Sequence, residues 1–176
     1  MEARNLLREH ARPFELTLRI RHPSIDPDEI SRELQLEPEH SFRAGEPRES
    51  SSGIAAAAVH AESYWLAALD PNSFSVGALA GFDFPKRSRF GPSASESKDG
   101  PRAMLTNSLG LALTLGTIHF LRGHADFVRR VQSEGGEVAL IVELPSESAH
   151  SFTLTPQVTK VLSELGVAVD FEFTNE

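Results

Sequence analysis

The chain has no cysteine. Disulfides, thiolate metal sites and cysteine nucleophiles are therefore excluded, and a reducing compartment is compatible with that lack. Cations are also scarce, with 17 Lys and Arg against 25 Asp and Glu, a formal charge of −8. That balance disfavours general attraction to nucleic acid or anionic lipid and makes a basic partner the better fit. No apolar run approaches the roughly 20 residues that cross a bilayer. The stretch from Met1 to His10 lacks the apolar segment of a signal peptide. The expectation is a soluble, cytoplasmic protein with no membrane contact. Also missing are a phosphate-cradling glycine loop, a dinucleotide fingerprint, a His-Glu-x-x-His helix and a Gly-x-Ser-x-Gly elbow.

What the chain does have is one strongly apolar run, Val138 to Leu144, freed by Gly135 and Gly136 before it and closed by Pro145 after it. It is expected to be a central strand, with Val138, Leu140, Val142 and Leu144 on the main core and Ala139 and Ile141 on the other face. Phe14 to Arg21 and Val167 to Phe173 alternate apolar and polar residues and predict half-buried strands. Ser63 to Leu69 predicts another. Asp26-Pro27 and Thr155-Pro156 each place a cap acceptor before a proline, so both prolines are expected in the first turn of a helix. His124 to Glu134 predicts a short amphipathic helix ended by the glycine pair. Residues 109–121 fit both periods; helix is preferred, although two glycines weaken it. Glu39 to Ser63 carries little pattern: a turn is expected across Phe42 to Pro47, and loop or weak helix over Glu49 to Ala58.

At 176 residues the chain predicts a single domain spanning 1–176. Residues 1–13 are read as a polar leader and 70–102 as an irregular insertion with a mobile tip between Gly91 and Gly100. The strand–helix–strand plan occurs twice, which predicts an α+β, ferredoxin-like fold: an antiparallel sheet with helices on one face and the insertion between the halves. In that order the first and last strands are antiparallel neighbours, which would bring Arg19 and Arg21 near Asp170 and Glu172.

Several of these features resemble the bacterial DUF4279 domain family, whose function is unknown. They are Phe14 to Ile20, Ile25-Asp26-Pro27-Asp28-Glu29-Ile30 with Leu34, Leu36-Glu37-Pro38, Arg43-Ala44-Gly45-Glu46 and Trp65-Leu66. The two helices before Gly135, the central strand and Leu165-Gly166 complete the set. The resemblance implies a fold and a bacterial setting, and it carries no catalytic signature. It hints at an immunity or accessory role.

Chemistry is sparse. The histidines are scattered, and His119 and His124 lie about 140° apart on a helix of ~3.6 residues per turn. No metal or organic cofactor is expected. His22, Asp26 and Asp28 cluster in sequence, but capping and the helix dipole account for both acids. Lys86, Arg87 and Arg89, with Lys98 and Arg102, form the one local basic excess; a solvated loop is preferred over an anion or nucleic-acid contact. Trp65 is read as a core or sheet anchor before a cofactor platform. Ile141 and Ala139, with Trp65 or Tyr64 and Leu69, leave the outer sheet face partly apolar, so a cover is expected from the insertion, a second copy or a partner. Trp65, Ile141, Lys86, Arg87 and Arg89 are thus the candidate interaction residues, on a monomer or homodimer. The function expected is a non-catalytic protein-interaction domain of immunity or antitoxin type with an unknown, basic protein partner. The alternative is a small-molecule-binding protein or enzyme with a pocket between sheet and insertion.

Overall fold

The computed structural model describes residues 14–49, 55–70, 109–145 and 154–174. The elements in chain order are β1 (Glu15–His22), α1 (Pro27–Leu34), β2 (His40–Phe42), β3 (Pro47–Glu49), β4 (Ala55–Val59) and β5 (Ser63–Ala68). Then follow α2 (Leu109–Thr114), a π-helical segment (Leu115–Leu121), α3 (Ala125–Ser133), β6 (Glu137–Pro145), α4 (Pro156–Leu165) and β7 (Ala168–Thr174). The class is α+β. Among the described residues no helix is long and apolar enough to cross a membrane.

The capping signals act as expected. Asp26 Oδ1 accepts from Asp28 N at 2.9 Å and Pro27 opens α1. Thr155 Oγ1 accepts from Val158 N at 3.3 Å, Pro156 opens α4, and Gly166 closes it at φ +61°. Ile30 and Leu34 of α1, Phe127, Val128 and Val131 of α3, and Val158, Val161, Leu162 and Leu165 of α4 join one core. Leu16, Leu18, Ile20, Val138, Leu140, Val142 and Leu144 complete it from the sheet. The helices therefore share one sheet face, and the alternate residues of each strand form the other.

The main sheet has the order β2-β5-β1-β6-β7, antiparallel throughout except for the parallel pair β6–β7. This is not the ferredoxin-like order expected from the repeat. β6 lies between the first and last strands, so β1 and β7 are not neighbours. The cause lies in the segment that showed no pattern. After α1 the chain forms β2 and then a separate hairpin, β3–β4, which turns it back so that β5 enters antiparallel between β1 and β2. The second half has no such reversal, and α4 simply carries β6 over to a parallel β7. The hairpin also corrects the loop or weak helix expected over Glu49 to Ala58.

Residues 109–121 are helical, as preferred, but the helix widens from α into π geometry at Leu115. Gly116 packs there: a Cβ on it would stand 3.2 Å from Leu16 Cδ2 and 3.6 Å from Leu69 Cδ1, so a larger residue would displace the sheet's core side chains. The expected insertion at 70–102 lies almost wholly outside the described residues, as does the polar leader.

Candidate functional site

Two surfaces gather polar and aromatic side chains from separate parts of the chain. The first is the corner where the turn after β2 returns to the start of α1. Arg43 Nη2 lies 2.8 Å from Asp26 Oδ1 and 2.6 Å from Asp28 Oδ2. The turn is built by its own residues. Glu46 Oε2 accepts from Arg43 N at 2.9 Å, Ser63 Oγ accepts from Ala44 N at 3.0 Å, and His60 O accepts from Gly45 N at 2.8 Å. Gly45 sits at φ +82°, where a side chain is strained. The sequence stretches Asp26-Pro27-Asp28 and Arg43-Ala44-Gly45-Glu46 thus meet, and their meeting is structural: a guanidinium seated on a capped helix start.

His22 leaves this corner and turns inward. It is 4% exposed. Its Nδ1 accepts from Ser24 N at 3.1 Å and Ile25 N at 2.8 Å. Its Nε2 lies 3.3 Å from Glu134 Oε2, close enough for attraction but off the line of a well-formed hydrogen bond. His22, Asp26 and Asp28 therefore do not converge, and among the described residues no three His, Asp or Glu side chains are placed to hold a metal ion.

Beside the corner, four rings touch at the β2–β5 edge. Phe42 stacks on His60 at 3.7 Å and on Tyr64 at 5.2 Å, while His40 meets Phe42 and Tyr64 edge-on at 5.7 and 5.8 Å. Sequence reasoning missed this cluster because three of its rings fall in the stretch without periodicity.

The second surface is the outer face of the sheet, and strand register sorts it into rows. Phe42, Tyr64, Arg21 and Glu137 form one row. His40, Leu66, Arg19, Ala139 and Ala168 form the next. Then come Ala68, Thr17, Ile141 and Asp170, then Glu15, Glu143 and Glu172, and beyond them the pair Pro145 and Thr174. Ile141 and Thr17 are only 5% and 3% exposed, so the centre of this face is covered within the single chain. Part of that cover is Arg19, whose Nη2 crosses β6 to reach Asp170 Oδ2 at 2.6 Å. Whether residues 70–90 add to it lies outside the described residues.

Trp65 is not on this face. It pairs with Ile20, points into the core, is fully buried, and donates from Nε1 to Ser31 Oγ at 3.0 Å. It anchors the core, one of the two anchoring roles expected, and neither it nor Leu69, which is 1% exposed in the same core, can serve as a contact surface beside Ile141. The strand's parity decides this: Ser63, Trp65 and Ala67 face inward, and Tyr64 and Leu66 face outward. Lys86, Arg87 and Arg89 lie outside the described residues.

The row Glu15–Glu143–Glu172 breaks a packing rule. Like charges directly opposite on neighbouring strands repel, and here three carboxylates stand in register on β1, β6 and β7. None of them has a cation partner among the described residues. Burial first, then the charges of Glu15, Glu172 and Glu39, raises the pKa of Glu143 above the ordinary carboxylate value. Compared with known proteins, the chain matches no family model, no curated protein and no solved structure.

Proposed function

We propose that this chain is a non-catalytic protein-interaction domain of immunity or antitoxin type, within the DUF4279 family, that receives a basic protein partner on the outer face of its sheet. The observation that carries this is the in-register row of Glu15, Glu143 and Glu172. A fold gains nothing from three carboxylates facing one another, and departures from local consistency tend to concentrate where function needs them. A cation arriving from outside would offset the charges of Glu15, Glu172 and Glu39, which add to the larger effect of burial in raising the pKa of Glu143. The four-ring cluster at the other end of the same face supplies the kind of aromatic surface that anchors protein contacts. On this proposal the chain acts in the cytoplasm.

The test is direct binding of a peptide of eight lysines and arginines, followed by NMR on the wild type and on the variant Glu15→Gln, Glu143→Gln, Glu172→Gln. Expected are shifts confined to the strands bearing the row, an affinity that falls with salt, and loss of both in the variant. Shifts elsewhere, or equal binding by the variant, would remove the proposal.

A further inference from the structure

We infer that His22 makes the turn between β1 and α1 an acid-sensitive latch, closed by the neutral ring and released when the ring gains a second proton. The two ring nitrogens face groups with opposite demands. Nδ1 accepts from Ser24 N at 3.1 Å and from Ile25 N at 2.8 Å, so it carries no hydrogen. The one proton of the neutral ring therefore sits on Nε2, which lies 3.3 Å from Glu134 Oε2 at the end of α3. A second proton has a single place to go. On Nδ1 it would turn an acceptor of two hydrogen bonds into a donor facing two donors.

The ring is held, and the turn is what can move. Gly136 packs so closely that a Cβ on it would stand 2.7 Å from His22 Cδ2. Pro23 and Ser24, by contrast, are exposed. When the turn opens, Nδ1 meets water, and a proton taken there bars the return of the two amides. The charged ring keeps its other partner, since the Glu134 carboxylate attracts an imidazolium more than a neutral imidazole. Two states of one turn are thus each held by a different nitrogen of the same ring. Its release frees the chain that leads into Asp26, the cap of α1, and so loosens the corner where Arg43 sits on Asp26 and Asp28.

The other charged groups on the surrounding elements, among the described residues, have partners of their own. On α1, Asp26 and Asp28 are taken up by Arg43, and Glu29 by Arg130 of α3. On β1, Arg21 points to the opposite sheet face, where it stands opposite Glu137 of β6 and 3.8 Å from Glu62. On β5 the residue opposite His22 is the uncharged Ser63. Glu134 is therefore the charge that bears directly on the ring.

The experiment is amide hydrogen exchange by NMR on the full chain, expressed as protection relative to the intrinsic rate at each pH. It runs from about pH 8 to about pH 5, the interval in which histidine ordinarily changes charge. Nitrogen-15 signals of the His22 ring report in parallel which nitrogen carries the proton. Expected at the upper end are a bare Nδ1 and protected Ser24 and Ile25 amides. On acidification their protection should fall at least about tenfold, the scale of one lost hydrogen bond, while Leu18 and Leu140 in the β1–β6 pair hold theirs. His22→Asn keeps an acceptor and cannot titrate, so its protection should not change with pH, with circular dichroism confirming that it folds. Glu134→Gln should move the onset of the loss to lower pH. A proton on Nδ1 at the upper end would overturn the latch in the wild type alone. So would protection that persists to pH 5, a loss shared equally by Leu18 and Leu140, or the same loss in His22→Asn. An onset unmoved in Glu134→Gln would overturn the part given to Glu134.

Discussion

Arg19 Nη2 stands 2.6 Å from Asp170 Oδ2 although β6 runs between their strands. The small side chain of Ala139, directly opposite Arg19, leaves the passage open. The arginine stem then lies over Ala139 and beside Ile141, so its methylenes cover apolar surface while its head is paired. Arg19→Ala is expected to lose about 1–2 kcal/mol, partly from the ion pair and partly from the uncovered strand. Arg19→Met, which keeps the stem, should recover about half, and Asp170→Asn should cost under about 1 kcal/mol. Urea unfolding of the three variants checks the order. Equal losses for Ala and Met would show that the charge alone matters.

Ile141 is covered within one chain, which predicts that its replacement harms folding rather than assembly. Ile141→Asp would bury a carboxylate opposite Asp170 and should cost more than about 3 kcal/mol. Ile141→Val should cost about 0.5–1.5 kcal/mol. Thermal unfolding with light scattering distinguishes the outcomes. A stable monomer arising from a wild-type dimer would mean that a second copy supplies the cover.

The ring of His22 accepts two backbone N–H groups from the turn between β1 and α1. His22→Leu fills similar space but strands both donors, at about 1–3 kcal/mol each if nothing relaxes. His22→Asn, whose carbonyl can accept from the amide two residues on, should restore part of the loss. Hydrogen exchange at the Ser24 and Ile25 amides reads this directly. Unchanged protection in His22→Leu would rule out the assigned role.

Two glycines are required for different reasons, and substitution separates them. At Gly136 a Cβ would stand 2.7 Å from His22 Cδ2 and Val131 Cγ1 and 2.8 Å from the Val131 carbonyl oxygen. The backbone cannot give way cheaply, so Gly136→Ala should cost at least about 1–3 kcal/mol. Gly45 has open space around it and a φ of +82°, so Gly45→Ala should cost about 1–2 kcal/mol through backbone strain alone. Asn tolerates that φ, and Gly45→Asn should be milder, while Gly136→Asn should be worse than Gly136→Ala. Denaturation midpoints that rank the two sites alike would contradict this.

The faces of the strands were legible in the sequence and their neighbours were not. Period-two alternation places Leu16, Leu18 and Ile20 inward and Arg19 and Arg21 outward whatever lies beside β1. It is silent on whether β6 or β7 lies there. Adjacent first and last strands would bring both Arg19 and Arg21 to Asp170 and Glu172. Arg19 reaches Asp170 because an arginine is long enough to cross a strand. Arg21, however, lies in the row of Glu137, far along the sheet from Glu172, and stands 3.8 Å from Glu62 instead. Asp26 and Thr155 announced their helices because a cap is a local device. β2, by contrast, has only three residues and β3–β4 lies outside the main sheet, so neither imprints a period. With them went the ring cluster of His40, Phe42 and His60, whose members meet only through tertiary packing. Trp65 was left between two faces because Ser63-Tyr64-Trp65-Leu66 has apolar residues at both parities; its register against Ile20 decides.

The glutamate row makes a claim about pH that a simple variant can test. Glu143 has its pKa raised in the folded protein by burial and by Glu15, Glu172 and Glu39. A carboxyl in that state binds its proton more tightly folded than unfolded. Stability attributable to it therefore increases as pH falls from the raised value to the ordinary one near ~4.3, and declines as pH rises through the same interval. Glu143→Gln removes the charge and keeps the shape. At about pH 7 the variant should be more stable than the wild type by roughly 0.2–1 kcal/mol, the scale of like-charge pairs facing across strands. Below about pH 3 the wild-type carboxyl is protonated in both states and the advantage should vanish. Added salt should shrink the neutral-pH gain as well, because screening weakens the repulsion between partly exposed groups. Denaturant midpoints for both proteins across that pH range give the difference curve. A gain that persists in acid would point to side-chain packing as its source, and no gain at neutral pH would mean that the row is not strained.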